Sequence, residues 1–172
     1  MTTTLRRIIT GHNEQGKSVV VADKPPVEMG TLFDMWATDR APCSYGTEDE
    51  VAQRRVKLEP PENGTLFRFF RVDPEDPALS RDELERQAAA GFAAVGAEHC
   101  RPDTTRHPRM HKTRTVDYII LLQGEVTFLL DDEEVNLKPF DVVIQRGTNH
   151  AWINGGSEPA LLVAVLVDAE AH

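Results

Sequence analysis

The chain has 172 residues, of which 40% are hydrophobic and 27% are charged, and this composition indicates one globular domain rather than a disordered or fibrous protein. The formal net charge of −9 would repel a phosphate backbone, so we expect neither nucleic acid nor an anionic membrane as a partner. No apolar run is long enough to span a bilayer, and the start MTTTLRRIIT is too short and polar for a signal peptide, so we expect a cytoplasmic protein.

The first half of the chain predicts several strands. Two β-rich runs, residues 5–10 and 18–21, flank a break with Gly and Asn, which favours a hairpin. MGTLFDMWATDRAP contains one strand candidate, and the polar residues 48–55 predict a short helical turn or a loop. PPENG at 60–64 is typical of a turn, and TLFRFFRV after it is rich in strand formers.

One helix is expected after this strand. Ser80 can cap its first turn, and Glu83 completes a capping box. Alanine-rich sequence continues the helix to about Val95, where Gly96 can end it. The polar segment 100–109, with two prolines, predicts a loop, and the two cysteines, Cys43 and Cys100, show no metal-ligand spacing and are expected to be free.

The last third predicts an antiparallel sandwich or barrel, because short strand candidates alternate with turn residues. The acidic DDEE at 131–134 is typical of an exposed hairpin tip. The strand candidates are residues 118–122, 126–130, 142–144, 150–153 and 161–167.

The stretch MHKTRTVDY carries polar residues on the face that should be buried. Since strand side chains alternate, His111, Thr113, Thr115 and Asp117 share a face with the apolar positions that follow. This face should point inward, and a carboxylate there needs a partner because an unpaired buried charge is costly. In QRGTNHAWIN, His150 precedes Trp152 and Asn154 on one strand face.

These residues resemble the two motifs of the cupin superfamily. The first motif runs G, five residues, HxH, three or four residues, E, six residues, G; here His111, Asp117 and Gly124 match it. The second motif, G, five residues, PxG, two residues, H, three residues, N, is matched by Gly147, His150 and Asn154. The opening RRIITGH is also similar to the start of many single-domain cupin-2 proteins.

The resemblance implies an all-β fold, the double-stranded β-helix or jelly-roll barrel, with an N-terminal strand extension and one α-helix. We expect one domain over residues 1–172, in which residues 1–100 pack on the barrel and residues 101–172 carry the core motifs. Cupins commonly pair as dimers through N-terminal strands, so we also expect a homodimer.

Three positions depart from the family pattern. Thr113 stands where the second histidine should be, Asp117 is shorter than glutamate, and Gln145 replaces the usual proline. The remaining set of His111, Asp117 and His150 has the ligand count of a two-histidine, one-carboxylate iron site, so Fe, Mn, Zn or Ni is a possible cofactor.

Each of these side chains has a plainer interpretation. The histidines can be hydrogen-bonded barrel residues, and Asp117 can pair with an arginine or with Thr113 and Thr115. Trp152 can be pocket wall or core, and His107 is a loop residue or a fringe ligand. Thr113, Thr115, Trp152 and Asn154 are the expected substrate-binding residues.

Three functions fit this sequence. The first is a metal-dependent enzyme acting on a small organic molecule, of dioxygenase, decarboxylase, isomerase or lyase type, with His111, Asp117 and His150 as catalytic and metal-binding residues. The second is a metal-free acid–base enzyme of polyketide-tailoring or dehydratase type, using His111 and Asp117. The third is a non-catalytic protein that binds a small molecule.

Overall fold

The structure, a computed structural model, describes residues 4–44, 51–52 and 54–170. These residues form eleven β-strands and one α-helix. The strands are β1 (Arg7–His12), β2 (Ser18–Lys24), β3 (Val27–Met29), β4 (Leu32–Thr38), β5 (Thr65–Val72), β6 (Thr115–Gln123), β7 (Val126–Leu130), β8 (Glu134–Leu137), β9 (Val142–Arg146), β10 (His150–Ile153) and β11 (Ala160–Asp168). The helix α1 spans Arg81–Ala94, and a 3₁₀ turn follows at Glu98–Cys100.

The strands form two large sheets and a separate hairpin. The six-stranded sheet has the order β3-β4-β5-β11-β6-β9, and the three-stranded sheet has the order β10-β7-β8. All strand pairs are antiparallel, including the β1-β2 hairpin. This is the predicted all-β jelly roll.

The core lies where these two sheets share apolar side chains. In β11, every second residue is buried: Ala160, Leu162, Ala164 and Leu166 are each at most 6% exposed. They belong to one hydrophobic cluster with residues of β5, β6, β7 and β8. This alternation follows from the two-residue period of a strand with one buried face.

The helix begins and ends where the sequence predicts. The side chain of Ser80 accepts a hydrogen bond from the backbone N–H of Glu83, and the Glu83 side chain accepts from the backbone N–H of Ser80. Gly96 has a φ of 66°, in the left-handed region that glycine tolerates. No helix among the described residues is long and apolar enough to cross a membrane.

Some predicted boundaries were wrong. β8 was not predicted from the sequence. Glu134 was expected at the acidic hairpin tip, but it begins this strand. β6 begins at Thr115, so His111 lies before the strand, in an isolated bridge. In the polar segment 48–55, residues 48–50 and 53 lie outside the described residues.

Candidate functional site

A cavity of about 660 Å³ opens beside the polar residues of β6 and β10. Its walls come mainly from the N-terminal part of the chain and from α1, and they are largely apolar. The apolar lining residues include Met29, Leu32, Leu58, Phe70, Phe92 and Trp152. Such a volume and lining fit a small organic ligand.

His111 and His150 lie side by side in this cavity. The backbone N–H of each donates to the carbonyl of the other, over 2.8 and 2.9 Å, and the ring centroids are 4.2 Å apart. β6 and β10 belong to different sheets, so this bridge ties the segment that leads into β6 to β10 of the other sheet, at the cavity. The sequence motifs therefore do bring the two imidazoles together.

The hydrogen bonds of His111 define its protonation state. Its Nδ1 lies 3.0 Å from the carbonyl oxygen of Arg109, which can only accept, so Nδ1 carries the proton and Nε2 the lone pair. Burial lowers the pKa of His111 to about 4, although the Arg109 carbonyl opposes this shift. At neutral pH, His111 is an uncharged hydrogen-bond acceptor.

Gln145 holds the ring of His150. Gln145 Oε1 accepts hydrogen bonds from both the backbone N–H and the hydroxyl of Thr148, and its Nε2 donates to the Thr148 carbonyl over 3.1 Å. His150 Nδ1 lies 3.0 Å from the same carbonyl and 2.8 Å from Gln145 Nε2, so the glutamine and the Thr148 backbone fix the ring together. Burial, followed by the neighbouring His111, lowers the pKa of His150 well below its usual value. The glutamine that departs from the family pattern therefore positions a site histidine.

Asp117 is the carboxylate of the site that is available to a ligand. Its side chain is buried in the cavity wall, and within the part of the chain that the structure describes Oδ1 has no hydrogen-bond partner. Burial raises the pKa of Asp117 to about 6, and the Thr115 hydroxyl and the charge of Arg68 reduce this rise. A carboxyl group with this pKa can accept and return a proton near neutral pH.

The four expected substrate-binding residues divide into two groups. Thr113 and Trp152 line the cavity, and Trp152 packs edge-on against Phe70 with ring centroids 5.7 Å apart. Thr115 and Asn154 do not line it. Thr115 lies behind the wall, with its hydroxyl 2.7 Å from that of Thr113.

Asn154 has a structural position instead of the expected substrate-binding one. Its amide Nδ2 donates to the carbonyls of Val72 and Glu158, both at 2.9 Å, and its Oδ1 accepts from the Gly156 backbone. These bonds use both ends of the side chain, so Asn154 fixes the turn before β11. His107, considered above as a fringe ligand, pairs with Glu75 at 3.2 Å.

Arg68 also lines the cavity and is only 2% exposed, and it was not among the site residues predicted from the sequence. Its Nε donates to Asp34 Oδ1 over 2.9 Å, and its Nη2 forms an ion pair with the same oxygen at 2.8 Å. Its Nη1 and Nη2 also donate to the carbonyls of Leu58 and Lys57. Burial, the largest effect on both groups, raises the pKa of Asp34 and lowers the pKa of Arg68, while their mutual attraction opposes each shift. The pair therefore holds the Arg68 guanidinium in the cavity wall, with its charge balanced by Asp34.

The expected metal set of His111, Asp117 and His150 is not assembled as one donor group. The ligand atoms of these three do not all lie within 4.8 Å of one another. Among residues 4–44, 51–52 and 54–170, the one group of three His, Cys, Asp or Glu side chains that meets this distance is Glu59, His99 and Cys100. The cavity residues therefore do not fit a three-ligand metal centre in this arrangement.

Known proteins resemble this chain over most of its length. The Cupin_2 family model, described as a cupin domain, matches residues 98–166. The chain is 35% identical over 166 residues to the cupin-domain-containing oxidoreductase fogC of Aspergillus ruber, covering 94% of this chain and 71% of that protein. A predicted oxalate decarboxylase from Thermotoga maritima matches in structure with a TM-score of 0.40 and 15% identity, over 94% of this chain and 92% of that one.

A shorter match links the chain to a biosynthesis cluster protein. The chain is 50% identical over 46 residues to the Phomopsin biosynthesis cluster protein C' of Diaporthe leptostromiformis. These residues are 26% of this chain and 24% of that protein, so the chain spans only about a quarter of the length of this relative. The motifs, the jelly-roll sheets and the long alignment agree: the chain belongs to the cupin family.

Proposed function

We propose that this protein is an enzyme that moves a proton on a small, largely apolar organic molecule, with Asp117 as the base. The observation that carries the proposal is the unpartnered Oδ1 of Asp117, buried in the wall of an apolar cavity beside two neutral histidines. A cupin-domain relative named as an oxidoreductase supports an enzymatic role. The proposal keeps the metal-free acid–base chemistry predicted from the sequence, but it assigns the proton transfer to Asp117 and gives His111 an orienting role in place of the predicted acid–base one.

The first step would be removal of a proton from a carbon next to a carbonyl group. The proton moves to Asp117 Oδ1, and the C–H electron pair forms an enolate whose oxygen gains the negative charge. Arg109 lines the cavity and has a long ion pair of 3.6 Å with Glu75, so its guanidinium can donate to this oxygen. Asp117 then returns the proton to another atom of the substrate.

His111 would orient the substrate. Its Nε2 lone pair can accept a hydrogen bond from a substrate hydroxyl, because its Nδ1 proton is used by the Arg109 carbonyl. The aromatic walls formed by Phe70, Phe92 and Trp152 favour a ligand with a planar or hydrocarbon ring. An aromatic or cyclic ketone bearing a hydroxyl satisfies both requirements.

The test is hydrogen–deuterium exchange at carbon. Aryl-fused cyclic ketones such as β-tetralone would be incubated with the protein in D₂O, and loss of the α-proton signal would be followed by NMR, with tryptophan fluorescence reporting binding. We expect exchange that saturates with ketone and persists with a chelator present. Asp117→Asn should abolish the enzyme-dependent exchange, while Asp132→Asn, on an exposed turn, should not change it.

The other functions predict different results. Saturable binding with no exchange across a panel of ketones would show a binding protein and reject the acid–base proposal. Exchange that disappears with a chelator and returns with iron, manganese, zinc or nickel would support the metal-dependent enzyme instead. Neither result depends on knowing the natural substrate.

We further propose that the protein is a homodimer that pairs through its N-terminal hairpin. β1 and β2 form a two-stranded sheet of their own, and Ile8, Val20 and Val21 are 48%, 60% and 53% exposed. Exposed apolar side chains on a hairpin that is separate from the two larger sheets favour association with a second copy. Light scattering should give twice the mass of the chain, and Val20→Lys should shift it toward the monomer.

A further inference from the structure

We propose that Glu59, His99 and Cys100 form a binding site for a zinc-type divalent cation, separate from the cavity. His99 Nε2 lies 2.8 Å from Glu59 Oε2 and 3.5 Å from Cys100 Sγ. One ligand atom from each residue lies within 4.8 Å of the other two. None of the three lines the cavity that contains His111 and Asp117.

The chemistry of this set fits zinc. Thiolate, imidazole and carboxylate are the three side-chain ligands that Zn²⁺ takes, at about 2.0 to 2.3 Å, which places tetrahedral ligand atoms roughly 3.3 to 3.6 Å apart. The observed separations of 2.8 and 3.5 Å need only a small opening to admit the ion. A thiolate and a carboxylate also balance the charge of a divalent cation, with the thiol proton released to solvent.

The backbone holds these ligands in place before any ion binds. His99 and Cys100 lie on one 3₁₀ turn, whose Cys100 N–H donates to the Ala97 carbonyl and whose Cys100 carbonyl accepts from Lys112. Glu59 follows Leu58, whose N–H donates to the Val95 carbonyl near the end of α1. An ion would therefore join the segment before β5 to the turn after α1.

The site is open on one side. Cys100 is buried at 2% exposure, whereas the side chain of His99 is 64% exposed and that of Glu59 is 29% exposed. A cation can enter from the His99 side and keep a water molecule as its fourth ligand. Leu58 and Val95 line the cavity, so an ion here would stiffen one of its walls.

Cobalt(II) provides a direct test, because thiolate ligation to Co²⁺ gives a charge-transfer absorption. The starting protein is Cys43→Ser, which removes the exposed second thiol. We expect a band that saturates at one Co²⁺ per chain, is displaced by Zn²⁺, disappears in Cys100→Ser, and requires at least about tenfold more Co²⁺ in His99→Ala or Glu59→Gln. Zn²⁺ should raise the Tm of the starting protein and leave that of Cys43→Ser/Cys100→Ser unchanged.

His111→Gln and His150→Gln are the controls that separate this site from the cavity, and both should keep the band. Absence of the band, its survival in Cys100→Ser, or its loss in His111→Gln would each overturn the proposal. If Cys100→Ser does not fold, Glu59→Gln still decides the question, because Glu59 is partly exposed and its loss should weaken binding. The ketone exchange assay is independent of these results, so the two proposals can fail separately.

Discussion

Two aspartates of this protein, Asp34 on β4 and Asp117 on β6, are both 4% exposed, and both have a pKa raised by burial. Asp34 accepts a hydrogen bond from Arg68 Nε and forms an ion pair with its Nη2, whereas Asp117 Oδ1 has no hydrogen-bond partner among the described residues. Burial alone therefore does not identify a reactive carboxylate. The pairing of the charge separates a structural group from one available to a ligand.

The largest expected effect is on activity. Asp117→Asn keeps the shape of the side chain and removes its ability to take a proton, so enzyme-dependent ketone exchange should fall by about 100- to 10,000-fold. The NMR exchange assay measures this loss, and circular dichroism checks the fold. If Asp117→Asn retained more than half of the exchange rate, Asp117 would have no role distinct from that of Asp34.

Breaking the Asp34–Arg68 pair should affect the stability of the fold. Arg68→Met leaves Asp34 buried without its charge partner, so the free energy of unfolding should fall by roughly 3 to 5 kcal/mol. Urea unfolding measures this change, and the double variant Asp34→Asn/Arg68→Met should recover part of it. A loss below about 1 kcal/mol would mean that the Arg68 pair is not a structural element.

A third prediction concerns the pH dependence of stability. The Arg68 pair stabilises the fold, whereas ionised Asp117 should destabilise it. A carboxyl whose pKa rises from 3.8 in the unfolded chain to about 6 in the folded one is destabilising once it ionises, by up to about 3 kcal/mol at pH 7. Asp117→Asn should therefore be more stable than the parent at pH 7, and the difference should shrink as the pH falls from 6 to below 4.

His111 should change the pH dependence of stability in the opposite way to Asp117. Its pKa falls to about 4 on folding, so its contribution is favourable above pH 6.5 and is lost as the pH falls toward 4. His111→Gln should remove this acid sensitivity, and chemical unfolding at several pH values measures both variants. Parallel pH curves for the two variants would contradict the assigned protonation states.

The buried position of Asp117 could be predicted from the sequence, whereas the buried pair of Asp34 with Arg68 could not, and the difference has a physical reason. The alternation of MHKTRTVDY places Asp117 inward from local information alone, and the burial of Thr113 and Thr115 confirms that face. The Asp34–Arg68 contact depends on the register of β4 against β5, which includes a bulge after Asp34. No local pattern encodes that register.

The same limit applies to the cavity walls and to the proposed cation site. The cupin motifs lie in the last third of the chain, but Leu32, Leu58 and Phe92, which line the cavity, precede them. Cys100 showed no ligand spacing because its third partner, Glu59, lies about 40 residues earlier. Motif spacing finds ligands on neighbouring strands and misses those brought together only by folding.

The smallest predicted effect is the contribution of the Thr115 hydrogen bond to the pKa of Asp117. The Thr115 hydroxyl lowers the pKa of Asp117 by hydrogen bonding, whereas Asp34 has a full positive charge beside it. Thr115→Val keeps the side-chain shape and removes this bond, at a cost of about 1 kcal/mol, so the midpoint of the pH–rate profile for exchange should move up by less than about one pH unit. Thr10→Val, on β1, is the control. An unchanged midpoint would mean that burial and the Arg68 charge set the pKa of Asp117, and the carboxylate would then need no help from Thr115 to act as the base.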